Sequence, residues 1–337
     1  MRMRVVKHPA PREVRACQPG EAAAMASPGI HGPGNLFHPV ARYTPSRGRP
    51  REKEMTLSQP AADLLSRPQA TILVTGSTDG IGRATAKALA RLGHRVLVHG
   101  RDPGRGRAVL DEIRRETGTA DLGLLTADLS TLEGIRGLAE EVGDRYGRLD
   151  VLVNNAGVYM AERVSTRDGL ETTFAVNLLA PFLLSRLLLP LLEAAAPARI
   201  VNVASSAHFD AEGMDWENLQ GEKHYDGWGA YAQSKLGVVL FTYSLARRLD
   251  PGRVTANCLH PGVICTKLLR SAFPVFPCES VEAGARTPVC LATSPRVSGI
   301  TGRYFDEMRE ARSSGISRDR DTQERLWEYL EGMAGLR

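Results

Sequence analysis

The sequence predicts an α/β fold over residues 69–310: a single Rossmann-type, doubly wound parallel sheet of about seven strands with helices on both faces. Three observations predict it. From Ala70 onward, short runs rich in Val, Ile and Leu alternate with longer amphipathic stretches. The runs are apolar on both faces, as strands of a covered parallel sheet must be. A glycine-rich turn joins the first run to the first amphipathic stretch.

In chain order the runs cover residues 70–75, 95–99, 123–127, 150–154, 199–203, 254–259 and 303–305. Helical stretches lie between them, among them 82–92, 131–146, 170–192 and 230–249. Residues 311–337 read as a C-terminal extension with a short amphipathic helix over 323–333. Residues 1–68 are rich in Pro, Gly, Arg and Ala and follow neither period. Such a segment cannot bury enough apolar surface to offset its ordering entropy, so it reads as a disordered leader. An alternative is a start at Met55, since the codons for Arg51, Glu52, Lys53 and Glu54 are purine-rich and could contain a ribosome-binding sequence.

Composition narrows the function. The 337 residues carry a formal net charge of +5 and are 42% hydrophobic, ordinary for a globular chain. The excess of Arg and Lys is concentrated before residue 55, which favours a solvated basic leader over a nucleic-acid surface. The most apolar stretch, 182–196, is interrupted by Ser185, Arg186, Pro190 and Glu193 and is too short to span a bilayer. None of the five cysteines forms a CxxC or pairs with His at metal-ligand spacing. No metal site is expected, and the thiols are expected to be reduced in a cytoplasmic protein.

The turn Thr75-Gly76-Ser77-Thr78-Asp79-Gly80-Ile81-Gly82 sits between the first strand and a helix. Gly76 and Gly80 allow backbone angles and close approach that a Cβ would block. The helix N-terminus then offers free N–H groups and partial positive charge to a pyrophosphate. A plain strand-to-helix turn needing glycine is the alternative. At the end of the second run, Gly100 is followed by Arg101, with Arg105 and Arg107 nearby. Arginine suits a bidentate grip on a 2′-phosphate, which favours NADP(H) over NAD(H). The opposing feature is Asp79, whose carboxylate would repel phosphate if it approached the same region.

Tyr231 and Lys235 lie four residues apart at the head of a helix and so share one face. A free tyrosine, with a pKa near ~10, is a poor base at neutral pH. An ammonium at ~4 Å with an effective dielectric of about 20 supplies on the order of 4 kcal/mol, enough to bring it near 7. Ser205 follows the fifth run at its carboxyl end, where such sheets bind ligands, and could hold a carbonyl oxygen beside Tyr231. Ser206 could compete for that role. By chance alone a Tyr and a Lys share a helix face in many proteins.

Taken together and in this order, the residues from Ala70 to about Phe305 resemble the short-chain dehydrogenase/reductase family. The match rests on 75–82, Asn154 to Gly157, Asn177, Ser205, Tyr231 with Lys235, and Pro261-Gly262 followed by Thr266. The stretches 199–205, 219–223, 245–249, 302–305 and 325–327 look like its retinol dehydrogenase-like branch. The resemblance implies that Tyr231 is the general acid/base and that Lys235 lowers its pKa and binds the nicotinamide ribose. It implies that Ser205 orients the substrate oxygen and that Asn177 holds a water linking Lys235 to solvent; an interhelical hydrogen bond is the alternative for Asn177. The cofactor would lie along Gly76 to Gly82, Arg101, Asp128, Leu129, Asn155, Ala156 and Gly157. On the nicotinamide side it would meet Pro261, Gly262, Val263 and Thr266.

The reaction implied is hydride transfer between NADP(H) and an alcohol or carbonyl. The alternative is a non-catalytic NADP(H)-binding regulator or redox sensor on the same fold, which would be expected to lose Tyr231 or Lys235. Members often dimerise through the helices near 170–192 and 230–249, so a homodimer is possible, although those faces could equally be intramolecular core. Phe209, Met214, Trp216, Tyr225 and Trp228, with Leu268, Leu269, Phe273, Val275 and Phe276, suggest a lipophilic substrate. The alternative is that they pin two loops to the body.

Overall fold

The first strand, β1 (Thr71–Val74), is buried on both faces, and its alternate side chains enter two separate cores. Leu73 joins one cluster with Leu97, Leu125, Leu152 and Ile200. Ile72 and Val74 join the other with Val96, Val98, Val151 and Val153. This period-two division through successive strands defines a sheet covered on both sides. The computed structural model describes residues 69–336; the expected leader and the Met55 start lie outside them.

From β1 the chain runs through α1 (Gly80–Arg91), β2 (Arg95–Gly100), α2 (Pro103–Thr117), β3 (Leu122–Thr126), α3 (Leu132–Tyr146) and β4 (Val151–Asn154). Next come α4 (Thr172–Phe174), a π-helical turn over Ala175–Leu179, α5 (Ala180–Leu187), α6 (Leu189–Ala194) and β5 (Ala198–Val203). A 3-10 turn over Ser206–Phe209 precedes α7 (Gly227–Arg248), β6 (Val254–His260), α8 (Lys267–Ala272) and α9 (Val281–Thr293). The chain closes with β7 (Tyr304–Asp306), β8 (Arg309–Ala311) and α10 (Arg320–Met333). The strand order is β3-β2-β1-β4-β5-β6-β7-β8. Every neighbouring pair is parallel except β7 with β8. The direction of winding reverses between β1 and β4, so a crevice opens at their carboxyl ends.

The sheet has eight strands, one more than expected. The extra strand, β8, returns antiparallel through a tight turn in which Glu307 and Met308 take φ of 47° and 63°. Asn-Gly or Asp-Gly would announce such a turn in a sequence. The expected helix over 170–192 is instead three helical pieces with the π turn between the first two.

The C-terminal helix belongs to the same core as the sheet. Leu326 and Leu330 are fully buried. The Trp327 ring meets Phe182 of α5 edge-on at 5.0 Å, and the Arg248 guanidinium of α7 lies 4.2 Å from its centroid. The helices read as a dimerisation surface are therefore covered in part by the chain's own C-terminus.

Candidate active site

The crevice at the end of β1 is built by close backbone approach. Gly76 and Gly80 take φ of +63° and +54°. A Cβ on Gly76 would come 2.8 Å from the Ala156 Cα, and one on Gly82 would come 2.3 Å from the Gly76 carbonyl oxygen. Larger side chains would fill this turn at the mouth of α1. Thr75 holds it to the β4 loop: its Oγ1 accepts from the Asn155 and Ala156 amides, each at 3.0 Å. The Asn155 side chain donates to the Thr75 carbonyl at 2.9 Å. Ser77 is fully buried and its hydroxyl donates to the Val74 carbonyl at 2.7 Å, so that side chain shapes the turn from behind. A cradle of this form, open only to slim groups and facing helical N–H groups, fits the pyrophosphate of a dinucleotide.

His99 on β2 completes the turn. Its Nδ1 lies 3.1 Å from the Gly76 amide, which donates to it, and its Nε2 lies 3.2 Å from the Ala127 carbonyl. One nitrogen accepts and the other must donate, so the ring is neutral; burial pushes its pKa down to about 4. Just beyond, a Cβ on Gly100 would come 2.4 Å from Thr78 Cγ2, which puts Thr78 against the residue before Arg101. Arg101 is exposed. Asp79 does not turn toward it. The Asp79 carboxylate caps α1 through the Gly80 amide at 2.8 Å and meets Lys267 of α8 at 2.5 Å. That hydrogen bond to Lys267 holds its carboxyl below the ordinary range.

Asp128 is exposed and accepts from the Ser130 amide, while Leu129 is buried in the core. Ile81 faces α9, where its Cγ1 would lie 3.0 Å from a Cβ on Gly284. Pro261, Gly262 and Val263 form the loop after β6, with Gly262 at φ 95°. Thr266 caps α8 through the Leu269 amide, and its methyl would lie 3.3 Å from a Cβ on Gly80. The two loops flanking the crevice therefore touch.

Across the crevice, Tyr231 and Lys235 rise from one face of α7, both buried. The Lys235 ammonium donates to the Val203 carbonyl at the end of β5, at 3.0 Å, and lies 5.6 Å from the Tyr231 ring centroid. Ser205 hydrogen-bonds the Tyr231 side chain, and its own Oγ accepts from the Ala207 amide at 3.2 Å. Its neighbour Ser206 opens the 3-10 turn, with its amide donating to His260 Nδ1 at 3.1 Å. Desolvation dominates both titrating groups. Burial pushes the Tyr231 phenol up to about 12, against the hydrogen bond from Ser205, and pushes Lys235 down to about 8. Both groups have left water, and the lysine is shared with the Val203 carbonyl, so burial outweighs the lowering of the phenol pKa expected from the ammonium alone.

Asn177 sits in the π turn, an insertion often found at functional sites. Its Oδ1 accepts from the Val158 amide at 2.8 Å, and its Nδ2 donates to the Val158 carbonyl at 3.0 Å and to Ser234 Oγ at 3.1 Å. The amide thus bonds both the β4 loop and α7. It also shares a space with Lys235: a Cβ on Gly157 would lie 3.5 Å from Asn177 Oδ1 and 3.6 Å from Lys235 Nζ.

The aromatic residues separate. Trp228 lies 5.7 Å from the Tyr231 ring and 5.2 Å from Phe273, which lies 5.9 Å from Phe276. Met214 is buried in the core, Trp216 stacks with Arg325 at 4.3 Å, and the Tyr225 hydroxyl donates to the Met160 carbonyl. Phe209 packs against His208 at 4.0 Å and is half exposed. So Trp228 and Phe273 flank the Tyr231 side, while Met214, Trp216 and Tyr225 pin their loop to the body.

Three contributors were not singled out from the sequence: His99, His208 and Tyr159. The His208 Nδ1 lies 2.6 Å from the Ser205 carbonyl, and its Nε2 accepts from the Ser314 amide at 3.2 Å, tying the serine to the C-terminal segment. Tyr159 meets Tyr231 edge-on at 6.1 Å. Only its position two residues after Gly157 could have signalled it. A further difference concerns the thiols: Cys265 and Cys278 form a disulfide, where reduced cysteines were expected. The loop after β6 turns back to pair Ile264 with Glu279, which brings the two sulfurs together across a gap the sequence spacing does not reveal.

A doubly wound sheet with a glycine cradle at its switch point, and a Ser, Tyr and Lys gathered across it, defines a dinucleotide-dependent oxidoreductase scaffold. The short chain dehydrogenase family model matches residues 70–274. The chain belongs to the short-chain dehydrogenase/reductase family, in its retinol dehydrogenase-like branch. It is 39% identical to human retinol dehydrogenase 14 over 292 residues, covering 79% of this chain and 86% of the relative. To mouse polyprenol dehydrogenase it is 41% identical over 279 residues, covering 77% and 82%. Among solved structures, a short chain dehydrogenase from Escherichia coli complexed with NADPH superposes with a TM-score of 0.59 at 29% identity. That superposition covers 75% of this chain and 100% of the other.

Proposed function

We propose that this protein is an NADP(H)-dependent oxidoreductase that interconverts a lipophilic carbonyl compound and its alcohol. The observation that carries the proposal is the buried Tyr231, hydrogen-bonded to Ser205 and placed beside the Lys235 ammonium, across the crevice from the glycine cradle. The bound nicotinamide supplies or accepts the hydride. Ser205 and Tyr231 together hold the substrate oxygen. Tyr231 donates the proton as carbonyl becomes alcohol. Lys235 stabilises the phenolate left behind and reaches the nicotinamide ribose. Asn177 shares the space under Gly157 with Lys235, where a water between them would return the proton from solvent. The experiment is NADPH consumption across a panel of aldehydes, ketones and retinoids.

The nucleotide would lie along Gly76 to Gly82, with its adenosine near Asp128 and Leu129. Asn155 to Gly157, Pro261 to Val263 and Thr266 would line it toward the nicotinamide. Arg101 and Thr78 would take the 2′-phosphate, and the NADPH complex of the E. coli relative supports that choice. Asp79 is paired with Lys267 and does not stand as a free carboxylate beside that phosphate. Arg101→Ala should weaken NADPH binding roughly 10–150-fold while leaving NADH binding nearly unchanged, because charge-assisted phosphate bonds contribute about 1.5–3 kcal/mol. Fluorescence titration with both nucleotides measures this, and equal losses would remove the phosphate role.

The rings of Trp228, Phe273 and Phe276 run outward from Tyr231 and support a lipophilic substrate. The retinol and polyprenol dehydrogenases among its relatives agree with that. Along a series of straight-chain aldehydes kcat/KM should climb, since each buried CH₂ contributes up to ~0.8 kcal/mol. A flat or falling series would contradict the apolar cleft. In this reading the protein is cytoplasmic, and a homodimer through α5 and α7 would use the faces that α10 leaves open. Among the described residues no helix is long and apolar enough to cross a membrane.

A further inference from the structure

The segment between Cys265 and Cys278 contains no fully buried side chain. Its helix, α8, has no buried residue. Leu268, Leu269 and Phe273 are only half-buried, and the segment meets the rest of the site through contacts that include the exposed Lys267–Asp79 ion pair, the Thr266 methyl against Gly80, and Phe273 on Trp228. Surface ion pairs contribute little to holding an element in place. The disulfide closes the base of the segment, beside the bridge between Ile264 and Glu279. A short loop closed at its base has far fewer open conformations than a free one. The covalent link therefore adds a constraint to the partial packing of a segment that touches both the cradle and the aromatic wall beside Tyr231.

The link is also chemically accessible. Cys265 is exposed. The Arg270 guanidinium lies 3.2 Å from Cys278 Sγ and 3.9 Å from Cys265 Sγ, while also donating to the Pro274 carbonyl at 3.1 Å. A cation beside sulfur stabilises the thiolate and makes it a better leaving group. In a cytoplasmic protein, disulfides are usually transient or redox-sensing rather than structural.

We propose that Cys265–Cys278 is a thiol–disulfide exchange site, reached by a small dithiol, whose redox state sets how tightly the 266–277 segment closes over the substrate cleft. In the reducing step, a thiolate of the dithiol attacks Cys265 Sγ. The Cys265–Cys278 bond breaks, and Cys278 leaves as a thiolate beside Arg270. The second thiolate of the dithiol attacks the mixed disulfide, forms the cyclic disulfide of the reagent and releases Cys265. Two electrons and the two thiol protons pass from the dithiol to the cysteine pair. The reverse exchange, with an oxidised dithiol, restores the staple.

The inference rests on the reading of this crevice as a carbonyl-reducing site, but its physical part does not need turnover. The full-length protein is compared oxidised, reduced with dithiothreitol, and as the Cys265→Ser/Cys278→Ser variant. Peptide mass spectrometry without reductant should find the 265–278 cross-link. On reduction, amide hydrogen exchange in 266–277 should accelerate about ten-fold while that of β1 and β4 stays fixed. If the closed form falls to about a fifth of the population, the KM for a long-chain aldehyde rises about five-fold. The double variant should match the reduced protein and ignore dithiothreitol, which excludes effects through Cys17, Cys258 and Cys290. No cross-link, unchanged exchange on reduction, or faster exchange with an unchanged KM would overturn the proposal. Should no carbonyl be reduced in either state, the activity reading fails, and the exchange data alone decide the staple: faster supports it, unchanged overturns it.

Discussion

Tyr231→Phe should lower turnover by ~10²–10⁴-fold and leave NADPH binding nearly intact. The ring keeps its packing against Trp228, Tyr159 and the Lys235 ammonium. What disappears is the hydroxyl that hydrogen-bonds Ser205 and carries the proton. Because the phenol lies at the end of a desolvated cleft, solvent replaces it poorly as an acid. Steady-state kinetics with the best aldehyde, together with an NADPH titration of the same preparation, measures both effects. A variant that keeps more than about a tenth of wild-type activity would show that another group moves the proton.

Lys235→Met should abolish most turnover and still stabilise the fold at neutral pH relative to its stability in alkali. In the folded chain burial lowers the Lys235 pKa from the ordinary 10.5 to about 8. The unfolded chain therefore holds that proton more tightly, and the charged lysine opposes folding. The opposition is complete below about pH 8, fades as the pH rises, and is gone above about 10.5. It amounts to on the order of 3 kcal/mol. Losing the bond to the Val203 carbonyl costs the variant a constant amount that does not depend on pH. Subtracting the two unfolding free energies, from urea titrations at several pH values, isolates the lysine. The variant's relative stability should decline by that amount between pH 8 and 10.5. A pH-independent difference would mean that Lys235 is not desolvated. The site thus stores an unfavourable charge where the chemistry uses it.

The sheet was legible because its strands are short, doubly buried and apolar, so the period and the element order agreed. The glycine turn and the Tyr231/Lys235 pair were legible because each depends on spacing within one local element. What stayed hidden depends on contacts between distant parts of the chain. The Ser77 hydroxyl donates to the Val74 carbonyl and accepts from the His99 amide, bonds that spacing within the motif does not announce. Asp79 reads as a free carboxylate in the turn, and only the fold pairs it with Lys267, 188 positions away. His208 reads as one more residue of a loop, and only the fold brings Ser314 to its far nitrogen. The Cys265–Cys278 bond escaped because an odd number of scattered cysteines carries no pairing information. Trp228 could not be told from Trp216 by composition, since both are aromatic residues of one loop and only one faces Tyr231.

The central claim is that hydride passes from NADPH to a carbonyl carbon in this crevice. It is tested most directly with NADPH deuterated at the transferring carbon of the nicotinamide, prepared separately with the label on each face. A long-chain aldehyde is offered to the wild-type protein and the alcohol is analysed by mass spectrometry. Deuterium should appear on the carbinol carbon from one of the two labelled nucleotides and not from the other, and Tyr231→Phe should form that product far more slowly. Unlabelled alcohol from both nucleotides, or no alcohol from any aldehyde, ketone or retinoid, would contradict the account.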